Sequence, residues 1–372
     1  MTGDGAPLIV VAAGGTGGHL FPAEALSIAL AKRGVVIDLA TDERATRYGT
    51  TFPARQTHLI QSATFRGRDP ISLVRTVSVL GLGVMKAWMM FGRLRPAAVV
   101  GFGGYPSIPP VLAASLRGIP TIIHEQNGVM GRANKFLSSR VSAIATSFPG
   151  VLDKTPALVA KATRTGNPVR PAVVVAAATP YAPLEPNGPF NLIVFGGSQG
   201  AKVMSDVVPA ALTQLDASLR ARVRVVQQAR GEDIEHVQKV YVQAHVSADV
   251  AQFFTDLPAR IAASHLVISR SGASTVAELA AIGRPSILVP LPHALDQDQK
   301  ANAAVLEKVG GAIHLDQANF TPNHVAFAVA ALAGDGVLLG KMAAAAKSAG
   351  ALDAADRLAD LVLKVAGVIS PR

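Results

Sequence analysis

The chain contains no cysteine. It can therefore form no disulfide, offer no thiolate nucleophile and build no cysteine-based metal site, which suits a reducing compartment. Aromatic residues make up only 5% of it, with one tryptophan, and RRM, KH and helix-turn-helix patterns are missing, so nucleic acid is a poor candidate partner. Acidic residues are outnumbered, 25 against 35 basic, for a formal charge of +10; that balance favours an anionic ligand or surface. The nine histidines show no H-E-x-x-H or other metal-ligand spacing. No uninterrupted apolar stretch reaches the roughly 18 residues that a spanning helix needs. The opening MTGDGAPLIVVAAGG has no basic n-region and too short an apolar run for a signal peptide. These absences predict a protein made and kept in the cytoplasm.

What is present is alternation. At 372 residues the chain is long enough for two domains of about 150 residues each. Leu8 to Ala13 reads as a buried strand, GGTGGH (14–19) as a glycine turn, Pro22 to Lys32 as a helix and VVIDLAT (35–41) as the next strand, the first βαβ unit of a doubly wound sheet. The stretch 97–127 repeats the pattern, with strands at 97–101 and 120–124. A second start appears at Asn191, where NLIVFGGSQGAK again runs strand, glycine turn and helix. Two starts predict two Rossmann-like halves, 1–168 and 169–352, followed by a C-terminal helix at about 353–372 whose spacing does not decide whether it packs back on the first. The proline-rich Thr155–Pro189 between them reads as a hinge and surface excursion.

The most informative stretch is Arg270–Asn302. HLVISR (265–270) is a buried strand by its β-branched run; Ser271-Gly272 makes a turn, and Ser274 or Thr275 can cap the helix that follows. Such a turn presents backbone N–H groups at the positive end of a helix, where a diphosphate binds without a metal. Glu278, about one turn in, can accept both hydroxyls of a ribose. After the strand PSILVP comes a polar loop holding Asp296, Gln297, Asp298, Gln299 and Asn302, amide and carboxylate groups suited to sugar hydroxyls. Asp296 and Asp298 superficially form a D-x-D metal motif, but hydroxyl recognition fits their place after a late strand better. GGTGGH fails the dinucleotide fingerprint at its third glycine position, Leu20, although Asp38 or Asp42 stands where a ribose-binding acid would follow. His19 is either a capped surface histidine or a general base suited to neutral pH.

Taken in order, GGTGGH, GFGGYPS, HEQNGVMGRANK, GNPVR, FGGSQGA, RSGASTVAEL and the D-x-x-Q-x-x-N loop resemble the MurG family of peptidoglycan N-acetylglucosaminyltransferases, over essentially the whole chain. The resemblance implies an α/β GT-B fold, two Rossmann-like domains facing across a cleft. It also implies inverting transfer from UDP-N-acetylglucosamine to lipid I, undecaprenyl-pyrophosphoryl-MurNAc-pentapeptide, giving lipid II at the cytoplasmic face of the plasma membrane. Donor contacts carried onto this chain are Thr16, Gly17, Gly18, Asn127, Arg170, Ser198, Phe254, Ala273, Ser274, Thr275, Glu278 and Gln299. His19 is the first candidate base and Glu125 the second; Gly103, Gly104 and Tyr105 belong to the acceptor side. No metal and no cofactor are implied. A UDP-N-acetylglucosamine 2-epimerase of the same fold and a non-enzymatic nucleotide-binding protein are the competing expectations.

Residues 66–95 stand apart. Arg66, Arg68, Arg75, Lys86, Arg93 and Arg95 are opposed there only by Asp69, and interleave with apolar residues that include Trp88 and Phe91. A basic helix with an aromatic edge is either interfacial, docking on an anionic membrane surface, or an ordinary packed helix with a solvated rim.

Overall fold

The computed structural model describes residues 5–14, 17–43, 52–62, 70–197, 200–292 and 297–368. It forms two compact units, one of Met1–Arg170 with Asp353–Arg372 and one of Pro171–Leu352.

In the first unit the strands are β1 (Leu8–Ala12), β2 (Val36–Thr41), β3 (Gln56–Leu59), β4 (Ala98–Gly101), β5 (Thr121–Glu125), β6 (Ala143–Thr146) and β7 (Ala162–Arg164). They lie in the order β3-β2-β1-β4-β5-β6-β7, every pairing parallel. β1 is LIVVA and buried at every position, as a parallel strand covered on both faces must be. On one face the Gly17–Ala31 helix lies beside the C-terminal Ala354–Val365 helix, joining Leu20, Leu26 and Leu30 to Leu358, Val362 and Leu363 in one cluster. Arg33 fastens this pair to Asp360 at 2.7 Å and Asp356 at 3.1 Å. On the other face the Pro70–Leu94 and Ile108–Leu116 helices bring Ala87, Phe91 and Val111 onto Val99 and Ile123.

Three expectations change. The first helix starts at Gly17, with Pro22 inside it rather than at its head; Pro22 only forgoes one bond to the carbonyl four residues back. Asp38 does not project toward a ligand. It is fully buried on β2 and holds Arg55 through two bonds of 2.9 and 2.7 Å and His58 at 2.8 Å, fixing the β3 edge. Much of Thr155–Pro189 is structured: β7 completes the first sheet, the Pro171–Ala176 helix belongs to the second unit, and the chain passes from one to the other at Arg170 and Pro171.

The second unit repeats the design. Its strands β8 (Phe190–Phe195), β9 (Val223–Gln228), β10 (Ser247–Ala251), β11 (Leu266–Ser269), β12 (Ser286–Leu288) and β13 (Ala312–His314) are parallel in the order β10-β9-β8-β11-β12-β13. Both glycine-turn starts therefore head a Rossmann-like half. Order reverses between β1 and β4 in one sheet and between β8 and β11 in the other, and such a switch point opens a crevice at the carboxyl ends of the strands.

Arg284 anchors the second unit. It follows Gly283, which ends the Ala273–Ile282 helix in the left-handed region (φ 75°) that a side chain would disfavour. Only 1% exposed, its guanidinium donates to the carbonyls of Thr179, Pro180, Ala262, Ile282 and Gly283. Burial lowers its pKa. Arg284→Met should strand several of these buried carbonyls and destabilise the unit by roughly 3 kcal/mol. Urea unfolding measures this, and an unchanged midpoint would show that the carbonyls find other donors.

Candidate active site

At the second switch point, β8 runs into a glycine turn so tight that a Cβ on Gly196 would fall 2.3 Å from the Ala201 nitrogen. The Gly196 N–H is held by Gln228 Oε1 at 3.1 Å, and the chain then enters the Lys202–Thr213 helix. Beside it, β11 ends in Arg270-Ser271-Gly272 and the Ala273–Ile282 helix. Its N-cap is Gly272, which has no side chain to cap with, so Ser274 and Thr275 are first-turn residues and not the expected caps. Ala273, Ser274 and Thr275 are partly exposed, while Glu278 is buried one turn further along the same helix.

The polar loop reaches this turn by a specific route. Gln297 has left-handed backbone (φ 53°) and leads into the Asp298–Lys308 helix. Ser271 Oγ donates to the Gln299 carbonyl at 2.8 Å, and Asn302 Nδ2 donates to the Ser271 carbonyl at 3.1 Å. Gln299 Oε1 accepts the Leu291 N–H at 3.0 Å. Asn302 is fully buried, so it fastens the turn from below rather than meeting a sugar hydroxyl. Arg270 does similar work, donating to the carbonyls of Val289 and Pro290 and to Gln317 Oε1. Phe254, after β10, is buried with the Arg260 guanidinium 4.4 Å above its ring.

At the first switch point, Gly17 and Gly18 open the helix that carries His19. The imidazole Nδ1 lies 2.8 Å from Gln126 Oε1. Its far edge faces the turn after β4: a Cβ on Gly104 would sit 3.2 Å from His19 Cδ2 and 3.3 Å from Nε2, and Gly103 and Gly104 both have positive φ (76° and 69°). Only glycine lets the backbone approach the ring this way. Tyr105 continues this turn into a short 3-10 helix.

Glu125, at the end of β5, is 1% exposed. Its carboxylate accepts from the Asn127 backbone N–H at 3.0 Å and Asn127 Nδ2 at 3.2 Å, from the Gly131 N–H at 2.9 Å and from Asn134 Nδ2 at 2.8 Å. Burial raises its pKa against the lowering effect of those bonds. Geometry of this kind suits a fastener of the 127–131 loop. His124 is fully buried, its pKa lowered to about 4 by burial, and its Nε2 meets the Gly166 carbonyl at 3.0 Å. Arg170 lies over the Phe21 ring at 4.3 Å, near Glu24.

The structure thus gathers His19, Gly103, Gly104, Glu125 and Asn127 at one sheet edge of the first unit, and Ala273–Thr275, Glu278 and Gln299 at the equivalent edge of the second. Thr16, Ser198 and Asp296 lie outside the described residues, as do Arg66, Arg68 and Asp69. Gln126, inside HEQN, was not legible as a site residue, because its contacts are to His19, 107 positions away, and to Phe102.

The Glycosyltransferase family 28 N-terminal domain matches residues 9–146 and the family 28 C-terminal domain matches 191–358. The chain is 60% identical over 365 residues, 98% of itself and 97% of its relative, to the UDP-N-acetylglucosamine--N-acetylmuramyl-(pentapeptide) pyrophosphoryl-undecaprenol N-acetylglucosamine transferase of Rhodopseudomonas palustris (strain BisB18). Among solved structures it is similar to MurG of Acinetobacter baumannii, with a TM-score of 0.77, 29% identity, and coverage of 96% of this chain and 99% of that one. A putative UDP-N-acetylglucosamine 2-epimerase from Listeria monocytogenes shares the fold, with a TM-score of 0.68 over 99% of both chains, at only 12% identity. With both family domains present in order and such identity across nearly its full length, the chain belongs to glycosyltransferase family 28, among its MurG members.

Proposed function

We infer that the chain moves N-acetylglucosamine from UDP-N-acetylglucosamine to the 4-hydroxyl of the N-acetylmuramyl sugar in undecaprenyl-pyrophosphoryl-MurNAc-pentapeptide, making lipid II from lipid I in peptidoglycan synthesis. The observation that carries this is 60% identity over 98% of the chain to a protein named for that transfer.

Inverting transfer must stabilise negative charge on the departing UDP and remove a proton from the attacking hydroxyl. The first turn of the Ala273–Ile282 helix supplies backbone N–H groups and the positive helix end for the diphosphate. Glu278 takes the ribose hydroxyls, the Phe254 backbone the uracil edge and Gln299 the sugar; Thr16, Gly17, Gly18, Asn127, Arg170 and Ser198 complete the donor contacts. Gly103, Gly104 and Tyr105 face the acceptor. His19 is the base. Glu125, whose two oxygens already accept four bonds, holds the loop instead. This design calls for no metal or cofactor. UDP release should therefore require a lipid I analogue and proceed in excess EDTA. Release without acceptor, accompanied by inversion at the sugar C2, would point to the epimerase alternative.

Glu278→Ala removes a charged hydrogen-bond partner, a loss of roughly 1.5–3 kcal/mol. The donor Michaelis constant should rise by about tenfold or more, and an unchanged value would sink the assignment.

The acceptor's polyprenyl chain lies in a membrane, and we propose that the enzyme meets it at the cytoplasmic face, a surface that the Pro70–Leu94 helix suits. Thr76, Ala87 and Phe91 face the core, whereas Val74, Val77, Leu82, Met85, Trp88 and Met89 are exposed. Phe91, 1% exposed, is a core residue and not part of the surface edge; Trp88 keeps that role, with Arg117 stacked on its ring at 4.1 Å. By length and composition Val74–Leu94 could cross a membrane, but its buried stripe packs on the Ile108–Leu116 helix, which favours docking over spanning. Basic side chains near an anionic surface contribute about 1 kcal/mol each. Replacing Arg75 and Lys86 with Glu and Trp88 with Ala should lower binding to anionic vesicles and turnover of full-length lipid acceptor. A water-soluble short-chain acceptor should be turned over nearly as before; equal loss on both acceptors with lower thermal stability would make the segment purely structural.

A further inference from the structure

None of the roles above involves the Gln126 side chain, yet it is 3% exposed and joins two parts of the first unit's site. Its Nε2 donates to the Phe102 carbonyl at 2.9 Å. A carbonyl can only accept, so this bond decides which end of the amide is nitrogen. The other end, Oε1, then faces His19 Nδ1 at 2.8 Å. An amide oxygen also only accepts, so Nδ1 must carry a proton. A neutral imidazole has one N–H, which makes Nε2 its basic nitrogen. Nε2 lies on the ring edge turned to Gly104, where a Cβ would come within 3.3 Å.

We propose that Gln126 is a positioning residue for the transfer: anchored on the Phe102 carbonyl, its amide holds His19 in the Nδ1–H tautomer and directs Nε2 to the acceptor side. The kinetic half of this rests on His19 being the base. The acceptor 4-oxygen then bonds to C1 as the bond from C1 to the UDP oxygen breaks. The hydroxyl proton goes to Nε2, UDP leaves with the electron pair, and the imidazolium returns its proton to water. A neutral amide, unlike the carboxylate of a serine-protease triad, orients the ring without a charge that stabilises the protonated form.

The test is ring nitrogen NMR on the full-length enzyme labelled with 15N-histidine, above neutral pH, with the His19 signals assigned by their loss in His19→Gln. The wild type should show protonated Nδ1 and unprotonated Nε2. Gln126→Met, near in shape but with only a weak acceptor, should lose that preference and lower kcat by about ten- to a hundredfold, the size of loss seen for partners that orient metal-bound histidines, with the donor KM unchanged. Gln126→Glu keeps an acceptor at Nδ1 and should restore the tautomer, which gives a readout even if the Met variant does not fold. An Nε2–H tautomer in the wild type overturns the proposal. So does a Met variant that loses kcat with its tautomer intact, since packing alone would then explain the loss. His19→Ala separates the two readings: a base contributes about 10²–10⁴-fold, so unchanged turnover removes the base role and the kinetic half of the proposal together. An Nε2–H ring in an enzyme that still depends on His19 overturns the role of Gln126 alone.

Discussion

The hydrogen bonds on either side of Ser271 are what the second unit's site depends on. A binding turn must keep backbone N–H groups available to its ligand, yet it sits at the buried end of a sheet where every polar atom needs a partner. The conflict is resolved by holding the turn through its other groups. Ser271 Oγ donates to the Gln299 carbonyl and the Ser271 carbonyl accepts from Asn302, so the start of the Asp298–Lys308 helix is tied to the turn after β11. Arg270 adds bonds to the carbonyls of Val289 and Pro290. The sequence-distant D-x-x-Q-x-x-N loop is thus part of the same structural device as the RSG turn.

The first unit meets the same constraint differently. Glu125 takes four donors from Asn127, Gly131 and Asn134, closing a loop around a carboxylate whose own solvation is thereby replaced. The cost of burying such a group is met only because the donors converge on it. Removing one donor leaves a buried acceptor short, which couples residues along HEQNGVMGRAN that are separated in sequence but share one anchor.

The sheets were legible because a parallel strand covered on both faces must be apolar throughout, and LIVVA, NLIVF and HLVIS could be little else. Glycine turns at strand ends were legible for a related reason, since a close turn into a helix excludes side chains. Failures came where distant contacts decide. Asp38 looked available for a ribose until Arg55 and His58 closed on it. Phe91 shares the helical stretch of Trp88, but the rotation of the helix on its neighbour sends one inward and leaves the other out. Asn302 read as a sugar ligand because an amide's partners are invisible along the chain. The cap of the Ala273–Ile282 helix went to Gly272, one residue before the helix and ahead of both hydroxyl residues.

The C-terminal helix carries one further consequence. Its Leu358, Val362 and Leu363 complete a hydrophobic cluster with Leu20, Leu26 and Leu30, although the whole of Pro171–Leu352 intervenes. Nascent chains generally fold domain by domain as they emerge, but here the earlier unit cannot complete the cover on one face of its sheet until the later one has been synthesised. During that interval Leu26 and Leu30 have the sheet but not Leu358, Val362 and Leu363, so the first half of the sequence is completed only after all of the second has been made.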